Sequence, residues 1–346
     1  MHYVRLSDRF KAFAEKECAG SSELYEFLAL KISDDGELLD LSSHSREGQP
    51  IPNLFLGAVH YLLLNGNDHR LRNYYSSIVE RPKPTEESFP HFKDFCSTYK
   101  DQIIPILREK MVQTNEVRRC GYLYPAFTYI FEKINKPLAL IEIGTSAGFQ
   151  LLWDKYSYSC CSDEIFGNMN SNVHIKSEVK GNNTPPFSNE VPAISHRYGI
   201  DLHINDISNK EDALWLNSLI WPEHKKRRKL FTQASACVWN NKDTLHLIQG
   251  NGVELLPDLA EKIPETSVIC VFHTHVANQM PSVVKRNLLA NVRTISEKKD
   301  VFHIYNNIWD GFLHLDSYIN GKEDNKVIAE TDGHGRWFTW MPFDLS

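Results

Sequence analysis

The chain has 346 residues, of which 42% are hydrophobic and 24% charged, and its formal net charge is −6. These values are ordinary for a globular protein, and the length suffices for one large domain or two of usual size. The lack of a basic excess argues against general nucleic-acid binding, because phosphate contacts need clustered Lys and Arg. The longest apolar block, residues 54–64, is too short to span a bilayer, so we expect no membrane partner.

The cysteines do not form a disulfide or zinc pattern. There are seven, two of them adjacent, and none is arranged as C-x-x-C. Free thiols are typical of a reducing compartment. The chain begins MHYVR, without the long apolar segment of a signal peptide. We therefore expect a cytoplasmic protein.

The first part of the chain is predicted to be helical. Apolar residues three and four positions apart indicate helices, and Ser21 or Ser22 is a suitable N-cap for one of them. The predicted helices cover residues 7–18, 22–32, 54–64 and 89–107. We interpret residues 1–110 as a helical N-terminal or lid region.

After Pro137 the pattern changes to short apolar strands that alternate with helices. Strands are predicted at 138–143, within 197–204, and at 246–249, 267–272, 301–305 and 335–340. Helices are predicted at 211–238, 253–262 and 282–296. This alternation predicts an α/β fold with a doubly wound, mostly parallel sheet over residues 111–346. The polar segment 156–195 is interpreted as an insertion.

A nucleotide-cofactor motif follows the first predicted strand, where residues 138–148 read LALIEIGTSAG. Small residues allow the backbone to approach a ligand, and a helix start offers unpaired N–H groups. The spacing differs from the dinucleotide motif G-x-G-x-x-G. It resembles the first motif of S-adenosylmethionine (SAM) methyltransferases, acid-x-Gly-x-Gly-x-Gly, with Ser146 at the middle glycine. The predicted cofactor contacts are Glu142, Gly144, Thr145, Ser146 and Gly148; the alternative is a strand-to-helix turn without a ligand.

Two further strand ends carry polar residues suited to an adenosyl group. Asp201 resembles the acid that holds both ribose hydroxyls in SAM-dependent enzymes, although it lies more than fifty residues after Gly148. Asp206 is the alternative residue for this role. Asp201 could instead be an acid that only stabilises a turn or caps a helix. Asn251, after the third strand, could accept a hydrogen bond from the adenine amino group. An Asn-Gly turn explains it equally well.

The fourth strand is followed by His273 and His275, where the acceptor would meet the methyl donor. Methyl transfer is a displacement in which positioning supplies most of the catalysis. A neutral His can also take a proton near pH 7, and His273 is predicted to do so while His275 contacts the substrate. The alternative is a shared metal ion, but no clear third ligand accompanies the pair.

A polar segment, residues 112–120, precedes the first strand. One interpretation is a helix over the cofactor, with Glu116 in catalysis and Asn115 and Arg119 on the substrate. The other is a solvated helix face with ion pairs such as Glu116–Arg119.

The chain as a whole resembles the bacterial DUF2332 family of uncharacterised proteins. The resemblance covers nearly the full length through these segments, in order: 52–54 (PNL), 59–64 (VHYLLL), 113–117 (QTNEV), 142–148 (EIGTSAG), 199–201 (GID), 221–223 (WPE) and 334–335 (HG). It implies a Rossmann-like domain of the class I methyltransferase type behind a helical N-terminal region. It implies no particular substrate or reaction.

The sequence therefore predicts a SAM-dependent methyltransferase acting on a small or medium acceptor. One alternative is a non-catalytic Rossmann-like ligand-binding protein, since Ser146 and Asn251 replace residues usual in such motifs. Another is a metal-assisted hydrolase that uses His273 and His275. A small-molecule ligand is the partner we expect, and the sequence predicts no oligomeric state.

Overall fold

The computed structural model describes residues 2–113, 116–160 and 164–341. Two compact units share the chain. The N-terminal unit comprises Met1–Thr114 and Ser208–Lys229, and the sheet unit comprises Asn115–Ile207 and Leu230–Ser346. Within the described ranges, no helix has both the length and the apolar character needed to cross a membrane.

Helices make up most of the N-terminal unit and flank the strands of the sheet unit. They are α1 (His2–Phe13), α2 (Glu23–Ser33), α3 (Gly36–Ser42), α4 (Ile51–Leu64), α5 (Ser88–Thr98), α6 (Lys100–Glu109), α7 (Cys120–Ile134), α8 (Lys210–Ser218), α9 (Lys225–Asn241), α10 (Gly252–Glu261) and α11 (Ser282–Ser296). A π-helical turn, Ala14–Cys18, continues α1. The 3₁₀ helices are Arg70–Tyr74, Thr85–Glu87, Val117–Arg119, Gln150–Lys155, Lys242–Thr244 and Val276–Gln279.

Helices α1, α2 and α4 lie close to ranges in which the helical periodicity predicts helices. Ser22 caps α2, because its Oγ accepts a hydrogen bond of 3.2 Å from Tyr25 N. Helix α4 is apolar almost all round and contributes ten buried residues to the core of this unit. The segment 89–107, for which one or two helices are predicted, forms two helices, α5 and α6, which are separated at Tyr99.

The predicted α/β fold with a largely parallel sheet is confirmed. The strands are β1 (Leu138–Ile143), β2 (Ser157–Ser159), β3 (Phe166–Gly167), β4 (His174–Lys176), β5 (Glu178–Lys180), β6 (Ile194–Asp201), β7 (His246–Gln249), β8 (Val268–His273), β9 (Val301–Tyr305), β10 (Leu313–Ile319), β11 (Lys322–Thr331) and β12 (Trp337–Trp340). In the described residues the large sheet has the order β5-β12-β11-β10-β9-β8-β1-β6-β7. Strands β7, β6, β1, β8 and β9 are mutually parallel, and β10, β11 and β12 follow antiparallel.

Strand β1 lies at the centre of the parallel part and is buried along its whole length. It pairs with β6 on one side and β8 on the other, so that Glu142 stands between Gly199 and Phe272. A strand buried on both faces reads as a continuous apolar run. The parallel pairing brings the carboxyl ends of β1, β6 and β8 to the same edge of the sheet. We call this edge the carboxyl edge.

Two parts of the sheet unit differ from the sequence-based expectation. The segment interpreted as an insertion forms a small sheet in the order β3-β2-β4, and its strand β5 joins the large sheet beside β12. A hairpin, β10–β11, extends the large sheet where no strand was predicted. Its turn, Asn320-Gly321, has positive φ at both residues, which is the usual chemistry of a tight hairpin.

Candidate functional site

The loop after β1 has the left-handed backbone that its small residues permit. Gly144, Ser146 and Gly148 have φ values of +80°, +52° and +78°. A Cβ at Gly144 would lie 2.8 Å from the Val276 side chain, and one at Gly199 would lie 2.7 Å from Thr145 Oγ1. Part of the small-residue pattern is therefore required by packing alone.

The segment after this loop is not a regular α-helix. Residues Gln150–Lys155 form a 3₁₀ helix that is interrupted at Leu152, where φ is −103°. Asp154 in this helix forms a buried bidentate ion pair with Arg197, with N–O distances of 2.7 and 2.8 Å. A short 3₁₀ helix therefore replaces the α-helix that was expected after the strand and the turn. The prediction that the N–H groups of an α-helix start would bind the cofactor has no support.

Asp201 connects the end of β6 to the loop after β1. Its Oδ2 accepts a hydrogen bond of 2.8 Å from Ser146 N, and its Oδ1 accepts one of 3.2 Å from His203 N. Asn205 reinforces the contact by donating from Nδ2 to Ser146 Oγ at 3.0 Å. Burial raises the pKa of Asp201. The two candidate residues, 55 positions apart, meet because β1 and β6 are neighbours, whereas Asp206 is exposed.

Glu142 is buried beneath this loop. Only 2% of the residue is exposed, and Thr145 Oγ1 donates a hydrogen bond of 2.6 Å to its Oε2. Burial raises the pKa of Glu142 to about 8; the hydrogen bond from Thr145 opposes the rise, the charge of Asp201 adds to it, and Arg119 opposes it. A carboxyl group in this state is largely protonated at pH 7.

Arg119 is buried at the carboxyl end of β8. Its Nε donates to Gly333 O at 3.0 Å, and its Nη1 lies 3.3 Å from both Thr274 O and Thr274 Oγ1. Thr274 Oγ1 in turn donates to Gln150 Oε1 at 3.0 Å. Because Arg119 is only 6% exposed, the solvated helix face is excluded for this residue.

Glu116 is also buried, and it serves as a cap. Its Oε1 accepts a hydrogen bond of 3.1 Å from Arg118 N at the start of the 3₁₀ helix Val117–Arg119. The continuous helix expected over the cofactor is absent from the described part of 112–120, since this short 3₁₀ helix precedes α7. Asn115 lies outside the described residues.

His275 is fixed at the carboxyl edge by two asparagines. Its backbone has φ of +63°, and its N–H donates to Asn306 Oδ1 at 2.7 Å. Asn306 Nδ2 lies 3.3 Å from His275 Nε2, and Asn307 Nδ2 lies 3.1 Å from Nδ1. A neutral imidazole accepts at one nitrogen only, so one of these two amide groups donates to the ring. Burial and the charge of Arg119 lower the pKa of His275 to about 3.

His273 lies in the interior of the sheet unit, apart from this polar group. Its register partner is Tyr305, and Val271 pairs with His303, so these residues share one face of the sheet. The ring centroids of His273 and His303 are 5.3 Å apart. Neither nitrogen of His273 has a hydrogen-bond partner among the described residues, and burial lowers its pKa to about 3. The geometry does not place His273 where a substrate would reach it.

Asn251 acts as the N-cap of α10. Its Oδ1 accepts a hydrogen bond of 3.1 Å from Val253 N, and its Nδ2 donates to Glu254 Oε1 at 2.7 Å. The turn interpretation accounts for these contacts. In the described residues, no group of three or more His, Cys, Asp or Glu side chains is arranged to hold a metal ion.

Sequence reasoning missed several residues of the carboxyl edge, namely Gln150, Thr274, Asn306, Asn307 and Gly333. The two asparagines directly follow β9, so the rule that ligands collect at the carboxyl ends of parallel strands could have found them. Gly333 lies far along the chain, in the segment before β12, and no local signal marks it.

Comparison with known proteins decides the family. Residues 7–340 match DUF2332, described as an uncharacterized protein conserved in bacteria. The chain belongs to the DUF2332 family. No curated protein and no solved structure matches it.

Proposed function

We propose that this DUF2332 protein binds SAM at the carboxyl edge and transfers its methyl group to a small or medium acceptor. The parallel strands β7-β6-β1-β8-β9 support this, because their chain order corresponds to 3-2-1-4-5. Sheets of the Rossmann type have this order, and they bind ligands where it reverses, here between β1 and β8. The loop after β1 begins at that position.

The observation that carries the proposal is the contact between Asp201 and Ser146. It places a carboxylate directly beside the small-residue loop, as ribose binding requires. The backbone N–H groups of Ser146 and His203 each donate to one of its oxygens, which fixes the orientation of the carboxylate at the end of β6. A carboxylate is the group that suits two adjacent ribose hydroxyls as donors.

Within the proposal, His275 contacts the acceptor and orients it, as the sequence predicts for this residue. His275 is partly exposed at the carboxyl edge, whereas His273 is fully buried. The low pKa of His275 keeps the imidazole neutral at pH 7 and makes it a weak base, so it suits a hydrogen bond to the acceptor and not removal of a proton. Arg119 and Glu142 lie nearby as a buried cation and a buried acid, and once Glu142 is ionised they suit the two charges of an amino-acid group.

A non-catalytic ligand-binding protein is the second candidate. Two observations favour it: Asn251 is used as a helix cap, and a short 3₁₀ helix stands where an α-helix is usual. Either candidate requires a ligand at the carboxyl edge, and they differ only in turnover.

Calorimetry with SAM and S-adenosylhomocysteine tests the binding step, with NAD and ATP as controls. We expect micromolar, selective binding of the adenosyl ligands, because the site is built around one carboxylate. Asp201→Asn should weaken binding at least tenfold, since it removes the charge that accepts from two hydroxyls. Asp206→Asn is the matched control and should leave affinity within twofold.

Absence of adenosyl binding in folded protein would refute the proposal. Loss of affinity in Asp206→Asn instead of Asp201→Asn would move the ribose contact to Asp206. If SAM binds but no S-adenosylhomocysteine is formed with any compound of a broad acceptor screen, the non-catalytic candidate is favoured.

A further inference from the structure

A second group of nucleophilic and basic side chains lies on the small sheet β3-β2-β4. Strands β2 and β4 are parallel, with Ser157 opposite His174 and Ser159 opposite Lys176. Alternate residues of a strand project to the same face, so these four side chains share one face of the small sheet. Ser157 is only 4% exposed, whereas Ser159 is partly exposed and His174 is exposed. A substrate in solution therefore has access to Ser159 and His174.

The imidazole of His174 lies along β2 and contacts both serines. Its Nδ1 is 3.0 Å from Ser157 Oγ, and its Nε2 is 2.9 Å from Ser159 Oγ. Ser157 Oγ also donates a hydrogen bond of 3.2 Å to Val173 O. A hydroxyl group has one proton, so Ser157 Oγ is the acceptor from Nδ1–H. In the neutral imidazole Nε2 is then an acceptor, and the Ser159 hydroxyl donates to it.

This chain of hydrogen bonds has the order of nucleophile, base and orienting group that activates a serine in acyl-transfer enzymes. Ser159 has the place of the nucleophile and His174 that of the base. Ser157 accepts from Nδ1–H where a carboxylate does so in the usual triad. A hydroxyl group fixes the ring and its tautomer, but it carries no charge to stabilise the imidazolium. We therefore expect slow turnover.

Lys176 adds a positive charge to this face of the small sheet. It is exposed and is the register partner of Ser159 on the neighbouring strand. When a serine attacks an ester, negative charge develops on the carbonyl oxygen. A cation on the same face stabilises that charge, so the chemistry of the four side chains suits an ester.

We propose that Ser159 attacks small carboxylic esters with His174 as the general base. Ser159 Oγ forms a bond to the carbonyl carbon while His174 Nε2 takes the hydroxyl proton. The ester C–O bond breaks, and the alcohol leaves with that proton. Water then attacks the acyl-serine and gives a proton to His174, which returns it to Ser159 as the carboxylic acid is released. This activity is independent of the proposed methyl transfer, because it uses none of the residues assigned to SAM.

Covalent labelling of the full-length protein with an alkyl fluorophosphonate tests the nucleophile. The serine oxygen displaces fluoride from phosphorus, and intact-mass spectrometry with peptide mapping locates the adduct. We expect one adduct, on Ser159, and slow hydrolysis of p-nitrophenyl acetate. Both should be lost in Ser159→Ala.

Replacement of His174 tests the base. His174→Ala should lower the labelling rate about 100-fold, which is a usual contribution of a general base. Because His174 is exposed, added imidazole should enter the space of the lost ring and restore part of the rate. A ring that only supports the small sheet would give no such rescue. Ser159→Ala with added imidazole is the blank.

Ser157 is a positioning residue, and a second serine offers a matched control. Ser157→Ala should lower the labelling rate at least about fivefold, and Ser157→Thr should keep it because the hydroxyl remains. Ser195 Oγ also lies 3.1 Å from an imidazole nitrogen, Nδ1 of His196, but it donates its own proton to Leu138 O at 3.3 Å. Ser195→Ala should therefore leave the rate unchanged.

The outcomes decide between an activated serine and an ordinary surface hydroxyl. Absence of an adduct in folded wild-type protein, or an adduct on another serine, would overturn the proposal. Labelling of Ser159 at an equal rate in His174→Ala would also overturn it, since the histidine would then activate nothing. Circular dichroism of each variant shows whether it is folded. Affinity for S-adenosylhomocysteine is measured separately, and Ser159→Ala should leave it unchanged.

Discussion

Buried histidines without partners make the sheet unit sensitive to acid. His303 is 0% exposed, and neither of its ring nitrogens has a hydrogen-bond partner among the described residues. Burial is the main cause that lowers the pKa of His303 well below its usual 6.5, and the neighbouring His273 contributes. In the unfolded chain the same imidazole takes a proton near pH 6.5. Stability is therefore complete above this pH and falls as the pH decreases toward the folded-state pKa.

Replacing His303 by Phe should reduce this acid sensitivity. Below about pH 5.5, the free energy of unfolding should fall with pH less steeply in His303→Phe, by about 1.4 kcal/mol per pH unit. Urea unfolding followed between pH 7.5 and 5 measures the slope.

His60→Phe is a contrasting variant, because the ring nitrogens of His60 form hydrogen bonds with Ser218 O and Ser77 Oγ, both at 2.8 Å. It should lose about 1–3 kcal/mol at neutral pH through the unpaired groups it leaves. Equal slopes in wild type and His303→Phe would contradict the explanation.

If the proposed function holds, the raised pKa of Glu142 should make the affinity for the cofactor depend on pH. Its pKa of about 8 means that the free protein holds a protonated carboxyl at pH 7. A cationic amino group binds the ionised form, so affinity for S-adenosylhomocysteine should rise with pH from 6.5 toward 8.5. The expected gain is up to about tenfold per pH unit below the pKa. Calorimetry at several pH values measures it, and Glu142→Gln should flatten the profile. A wild-type profile that is already flat would exclude Glu142 from this contact.

At single positions, the sequence predicted which residues lie close together better than it predicted which face of the sheet a side chain occupies. Asp201 and the loop after β1 do meet, because the order of strands places them together. The side of the sheet that His273 faces could not be predicted. All residues of β8 are buried, so the strand lacks the polar–apolar alternation that identifies its faces. His275 is two residues further on, and its positive φ redirects the chain.

At the scale of elements, short apolar runs predicted the parallel strands well, whereas the strands in polar segments were not predicted. Strands β1, β7 and β9 have the predicted bounds, and of these β1 and β9 are buried along their whole length. Strand β11 begins with four exposed residues, so its sequence carries no hydrophobic period. Its hairpin could still have been found from Asn320-Gly321. The 3₁₀ helix after β1 was not predictable, because its buried ion pair with β6 depends on a distant strand.

The grouping of residues 208–229 with the N-terminal unit depends on tertiary contacts that a sequence pattern does not reveal. Glu223 accepts hydrogen bonds from Ser22 Oγ at 2.7 Å and from Leu24 N at 2.9 Å. Trp215 on α8 donates from Nε1 to Met111 O at 2.8 Å. These contacts join positions about 100 to 200 residues apart. Helical periodicity predicts that a segment is amphipathic, but it does not identify the core that the segment covers.

The N-terminal unit should therefore lose stability when α8 loses its anchor. Trp215 is 2% exposed, belongs to the main core cluster of this unit, and lies 5.9 Å from the Tyr61 ring. Trp215→Ala should cost about 3–5 kcal/mol, because it leaves a large cavity and removes the bond to Met111. Trp239→Ala should cost less than about 0.5 kcal/mol, since that side chain is half exposed.

Hydrogen exchange measured by mass spectrometry locates the loss. In Trp215→Ala we expect reduced protection in α1–α6 together with α8, because these helices share one core. Strands β1, β6 and β8 have a separate core around Ile141 and Val271 and should keep their protection. Loss of protection confined to α8 would show that residues 208–229 are a peripheral addition. Equal loss in both units would show that the two cores unfold as one cooperative structure.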